Sequence, residues 1–82
     1  MWLIEKSPDT NEFFIAVNIE KLQYIDKEFD SGEEFKFCIE FTYDDSNWVN
    51  WEFKKEKDRD RYYESIMKKL PRLNIEVDSV SL

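Results

Sequence analysis

The chain has 82 residues, enough for one ordinary domain and too few for a second core. With 41% hydrophobic and 38% charged residues, it is too apolar for a disordered acidic tail and too polar for a membrane protein. Twelve basic against 19 acidic side chains give a net charge of −7, which opposes binding to a duplex, while a single Gly and no His exclude glycine-rich phosphate loops, imidazole bases and Ser-His triads.

Residues 2–6 and 12–19 are short apolar runs separated by Ser7-Pro8-Asp9-Thr10-Asn11, whose Pro and Asx residues favour a turn, so a first hairpin is expected. Phe13-Phe14-Ile15-Ala16-Val17 is apolar on both alternating faces. That pattern predicts a central strand covered on two sides. Asn18-Ile19-Glu20-Lys21 reads as a tight connection and Leu22 to Phe29 as a third strand. Asp30-Ser31-Gly32 ends it, with Gly32 suited to positive φ.

Phe35, Phe37, Ile39, Phe41 and Tyr43 alternate with Lys36, Cys38, Glu40 and Thr42, and this period of two places every ring of the segment on one sheet face. Val49, Trp51 and Phe53 continue the odd-numbered apolar set on the next strand. Pairing Asp44 with Trp48 keeps the two sets on one face and leaves the loop Asp45-Ser46-Asn47, with Asn47 in the left-handed position. The same register sets Glu40 against Glu52, a like-charge pair within diagonal reach of Lys54.

From Lys57 the period lengthens. Tyr63, Ile66, Met67 and Leu70, with Tyr62 beside them, form the apolar stripe of a helix over 57–70, N-capped by Asp58. Asp60 in the first turn and Lys68 and Lys69 in the last complement the helix dipole, and Pro71 stops the helix. Leu73, Ile75 and Val77 alternate with polar residues and predict a short C-terminal strand. The expected architecture is a single α+β domain over residues 1–82: an antiparallel β-meander of about five strands packed on one helix.

Charge is divided unevenly along this order. Residues 1–53 carry four basic and 13 acidic side chains (−9), residues 54–72 eight and four (+4), and the last ten add −2, recovering −7. Glu33-Glu34, Asp44-Asp45 and Asp58-x-Asp60 invite metal or acid-base chemistry. The loop at Asp44 lacks the Gly and closing Glu of a calcium site, however, and capping accounts for the pair at Asp58. No catalytic residue, metal or cofactor is expected. Cys38 has no His or evident cation to activate it and reads as structural. A lone cysteine suits a reducing compartment, and Met-Trp-Leu-Ile-Glu-Lys is too short for a signal sequence, so a cytoplasmic location without membrane association is expected.

The residues left over point to binding. Asp30, Glu33 and Glu34 at one end of the 35–44 strand, and Asp44 and Asp45 at the other, offer carboxylates to a larger protein with a basic surface. Trp48 stands beside the second group as an anchor. The expected function is a small acidic interaction module, an inhibitor occupying a basic nucleic-acid-binding or regulatory groove, of a kind that phages and mobile elements carry. The alternative is nucleotide or single-strand binding, by stacking on Trp and Tyr beside the basic segment Lys54, Lys55, Lys57, Arg59 and Arg61. One helix covers only one sheet face, so the surplus apolar surface predicts a homo-oligomer.

Overall fold

The computed structural model describes residues 1–32 and 34–70. Two short strands, β1 (Trp2–Leu3) and β2 (Val17–Asn18), pair antiparallel. A 3-10 turn, Ile19–Lys21, leads into a three-stranded antiparallel sheet of β3 (Tyr24–Phe29), β4 (Phe37–Asp44) and β5 (Asn47–Phe53), and the helix α1 (Glu56–Lys69) follows. The fold is therefore α+β. The expected meander is divided into a two-stranded and a three-stranded sheet, and the expected C-terminal strand lies outside the described residues. Among the described residues no helix is long and apolar enough to cross a membrane.

The alternation in residues 35–53 is realised as written. Three cross-strand rows, Ile25–Phe41–Val49, Lys27–Ile39–Trp51 and Phe29–Phe37–Phe53, lie on the odd-numbered face. Ile25, Ile39, Phe41, Trp51 and Phe53 from this face are buried together with Leu3, Val17 and Ile19 from the N-terminal part and with Ile66 and Leu70 from α1. Hairpin and helix thus share the work of covering one face, and among the described residues no helix or hairpin packs on the even-numbered face.

The segment 13–17 departs from expectation. It is not a central strand: Phe13 and Ile15 are about two-thirds exposed, and the Lys6–Phe13 bridge and the β1–β2 pairs tie it to the first arm. On its other side, side-chain partners take its backbone groups in place of a second ladder. Phe14 N–H donates to the Glu5 carbonyl at 2.9 Å, the Ile15 carbonyl accepts from Trp51 Nε1 at 2.8 Å, and Asn18 N–H donates to the Tyr43 hydroxyl at 2.9 Å. Phe14 turns inward and stacks on Trp51, with ring centroids 4.7 Å apart and planes within 8°. The turn that precedes it is built as its composition implies. Ser7 Oγ accepts from the N–H groups of Asp9 and Thr10, and Asn11 holds φ at 63°, which Asn tolerates.

The β4–β5 register also differs. Trp48 pairs with Thr42, Glu40 with Asn50 and Cys38 with Glu52, a shift of two residues that keeps odd with odd and removes the expected Glu40–Glu52 opposition. A bulge at Tyr43 precedes the Asp44–Asn47 pair and takes up the extra residue, so Asn47 needs no positive φ. Asp44 accepts instead from Ser46 N–H at 2.8 Å and from Asn47 Nδ2 at 3.0 Å. Gly32 likewise has no positive φ; its N–H donates to Asp30 Oδ1 within the turn.

α1 starts two residues before Asp58. Lys55 stands at its N-cap without a side-chain bond, and Asp58 pairs with Arg61 at 3.3 Å instead of capping. The earlier start brings Arg59 onto the sheet, where its Nη1 donates to the Glu28 carbonyl at 2.8 Å and to the Cys38 carbonyl at 3.4 Å.

Phe41 is wholly buried, whereas Phe37 is only partly so. Phe41→Ala should therefore cost about 3–5 kcal/mol in urea unfolding, and Phe37→Ala clearly less. Equal losses would mean that Phe37 contributes to the core as fully as Phe41.

Candidate interaction face

The even-numbered positions of the three strands form a grid on the open face. Its rows are Tyr24–Thr42–Trp48, Asp26–Glu40–Asn50 and Glu28–Cys38–Glu52. Four of the nine positions are acidic and none is basic. The period-two rule that sends Ile25, Ile39, Phe41 and Trp51 into the core sends these carboxylates to solvent. Carboxylate oxygens of Asp26, Glu28 and Glu40 lie within 4.8 Å of one another. Glu28, Glu40 and Glu52 form no ion pair among the described residues.

Crowding has a titration signature. The Glu40 carboxyl is raised above its ordinary value, first by partial desolvation in the central strand and then by Glu28 and Asp26. Cys38, below the same cluster, is buried, and desolvation followed by Glu52 pushes its thiol up, which disfavours the thiolate.

The two acidic loops expected from sequence flank this grid. Asp30 borders the depression at the Glu28–Cys38–Glu52 row, and Asp44 and Asp45 border the one at the Tyr24–Thr42–Trp48 row. Glu40 lines both. The loops are the ends of one surface, linked by Asp26, Glu28, Glu40 and Glu52, four residues that the sequence reading left unassigned although their even spacing was visible. Asp44 is held below the usual carboxylate range, chiefly by the Asn47 side-chain amide and then by the Ser46 N–H, so it stays ionised as it shapes the turn. Glu34 turns to Lys54, 3.6 Å away, and Glu33 lies outside the described residues. Trp48 projects from the face and is 54% exposed, with Tyr24 two strands away in the same row and 39% exposed.

The basic segment does not make one groove. Lys54 Nζ lies by Glu34 and over the Phe35 ring, Lys55 and Lys57 are exposed at the start of α1, and Arg61 is paired with Asp58. Arg59 is buried. Its guanidinium spans two strand carbonyls, Asp60 at 2.8 Å and the Phe37 ring, so it joins helix to sheet and faces no ligand. Comparison with known protein families, with known proteins and with solved structures finds no match for this chain.

Two outcomes follow from this arrangement. Arg59→Lys should destabilise the fold by about 1.5–3 kcal/mol, because a point charge cannot replace the guanidinium fork, while Arg61→Ala should change stability by less than about 0.5 kcal/mol; denaturant titration distinguishes them. Glu40→Gln should stabilise the protein at pH 7 by about 0.2–1 kcal/mol, the size of a cross-strand like-charge effect. Folding favours the protonated form of Glu40, so its penalty is absent below its ordinary value of 4.5 and enters as pH rises through the higher folded value. The advantage of the variant should disappear in acid, and a gain that persists there would locate its cause in packing.

Proposed function

We infer that the protein is a small acidic interaction module, an inhibitor whose open sheet face occupies a basic surface on a larger protein, of the kind that otherwise holds nucleic acid. One observation carries this reading: the sheet presents Asp26, Glu28, Glu40 and Glu52 with no basic residue in the grid, although desolvation and then the neighbouring carboxylates disfavour the ionised form of Glu40. Carboxylates two residues apart on one strand stand roughly 6.6 Å apart, and a neighbouring strand adds a second row about 4.8 Å away. Such an anionic lattice attracts Lys and Arg over long range and speeds encounter. Trp48 and Tyr24 close one end with large, partly exposed rings suited to anchoring a partner once it has docked.

The single-strand reading loses its main support with Arg59 buried and Arg61 and Lys54 paired to carboxylates. The buried thiol and the absence of His fit a binding role in a reducing compartment better than a catalytic one.

Affinity capture from the host, read by mass spectrometry, should recover a larger basic protein with the native chain and lose it with Glu28→Gln/Glu40→Gln/Glu52→Gln. With that partner in hand, the triple variant should lower the association rate and flatten its salt dependence, and Trp48→Ala should raise the dissociation rate, both with circular dichroism unchanged. Capture that ignores the triple variant would remove the sheet face from the interface. Submicromolar binding of fluorescent single strands at physiological salt, weakened by Arg61→Glu, would favour the nucleic-acid reading instead.

A further inference from the structure

The N-terminal hairpin turns a second, chemically different face outward, and it approaches the acidic grid at the β5 edge, where Phe13 lines one depression with Asn50 and Glu52. Exposure alternates along its first arm: Leu3 and Ser7 are buried, and Trp2, Ile4 and Lys6 are exposed. On its second arm Phe14 and Val17 face the core while Phe13 and Ile15 face out. Trp2, Ile4, Phe13 and Ile15 are 57%, 62%, 65% and 68% exposed. Together they present roughly 500 Å² of apolar surface, near the top of what one patch on a monomer carries.

We propose that a second copy of this chain covers this hairpin face, giving a dimer that leaves two acidic sheet faces free. Size is the first argument. Homodimer interfaces are about 65% apolar, so roughly 500 Å² of apolar surface implies about 800 Å² buried per copy, the standard size for a stable complex.

Charge is the second argument. A chain of −7 repels its own copies, and through the sheet faces four carboxylates would meet four more. The hairpin face carries Lys6, whose ammonium lies 5.2 Å from the centre of the Phe13 ring, and Glu12 lines a depression beside Phe13; neither has an ion-pair partner among the described residues. One charge of each sign beside an apolar centre is self-complementary under a two-fold axis. Docking through the hairpin face also leaves the central carboxylates Asp26, Glu28 and Glu40 outside the contact. The dimer does not depend on the proposed function; its consequence, two equivalent acidic faces for a repeated or dimeric basic partner, rests on that reading.

Light scattering of the full chain between about 2 and 200 μM should show mass rising from 10.1 kDa towards twice that value. Phe13→Lys/Ile15→Lys should hold it at the monomer mass with unchanged circular dichroism. Glu28→Gln/Glu40→Gln/Glu52→Gln should leave the dimer intact, so loss of partner capture and loss of the dimer are separate results. A native chain that stays at 10.1 kDa at 200 μM overturns the proposal. In that case, destabilisation by Ile15→Lys at every concentration would assign the cover to residues 71–82 of the same chain, and unchanged stability would assign it to a different protein. A dimer that survives Phe13→Lys/Ile15→Lys also overturns it, by placing the interface elsewhere.

Discussion

The arrangement depends on the indole of Trp51. It lies in the middle row of the odd sheet face, on the edge strand β5, fully buried, packed against Phe41 and stacked with Phe14. A buried indole N–H needs an acceptor, and it donates to the carbonyl of Ile15 at 2.8 Å. That single bond takes a backbone acceptor from the hairpin and pins its second arm across the sheet. Phe14 goes inward as a result, and Phe13 and Ile15 go outward. Tyr43 and Tyr62 act in the same way, accepting from Asn18 N–H and donating to the Lys6 carbonyl. Three aromatic side chains thus use their polar atoms to hold a short hairpin that two pairs of strand residues would not hold alone.

Among the described residues, covering one face of the sheet so completely leaves no element on the other. In a chain of this size one helix and one hairpin are enough for a single sheet face. The open face is free to be polar, and period two makes it so. Acidic residues there repel one another, which is a cost for folding. The positive charge that would offset it is spent elsewhere: Arg59 is drawn into the joint between α1 and the sheet, and Lys27, on the odd face, reaches Asp60 and the Tyr63 ring.

Much of the fold was legible because it follows from local periodicity. The strands around Leu22–Phe29, 35–43 and 49–53, the helix near 57–70 and its apolar stripe of Tyr63, Ile66, Met67 and Leu70 each appear close to where alternation or a three-to-four spacing places them. The site was legible only in part. Asp30, Asp44, Asp45 and Trp48 stood out because turns gather Asx residues and the core did not claim the Trp. Asp26, Glu28, Glu40 and Glu52 did not, because each looks like an ordinary solvated strand residue until three strands are laid side by side.

The sequence by itself determined the class of the domain and the parity of β4 and β5, since side chains alternate whatever the register. Tertiary structure decided the rest. A shift of two residues preserves parity, so alternation could not distinguish the observed Thr42–Trp48 pairing from Asp44–Trp48; the bulge that positions the Tyr43 hydroxyl under Asn18 accompanies the observed register. The doubly apolar run at 13–17 could equally have been a central strand. It became a pinned arm with an exposed apolar back because Trp51, 36 residues further along the chain, required its carbonyl. Local pattern specifies which face a side chain takes, and only the long-range demand of buried polar atoms specifies what that face meets.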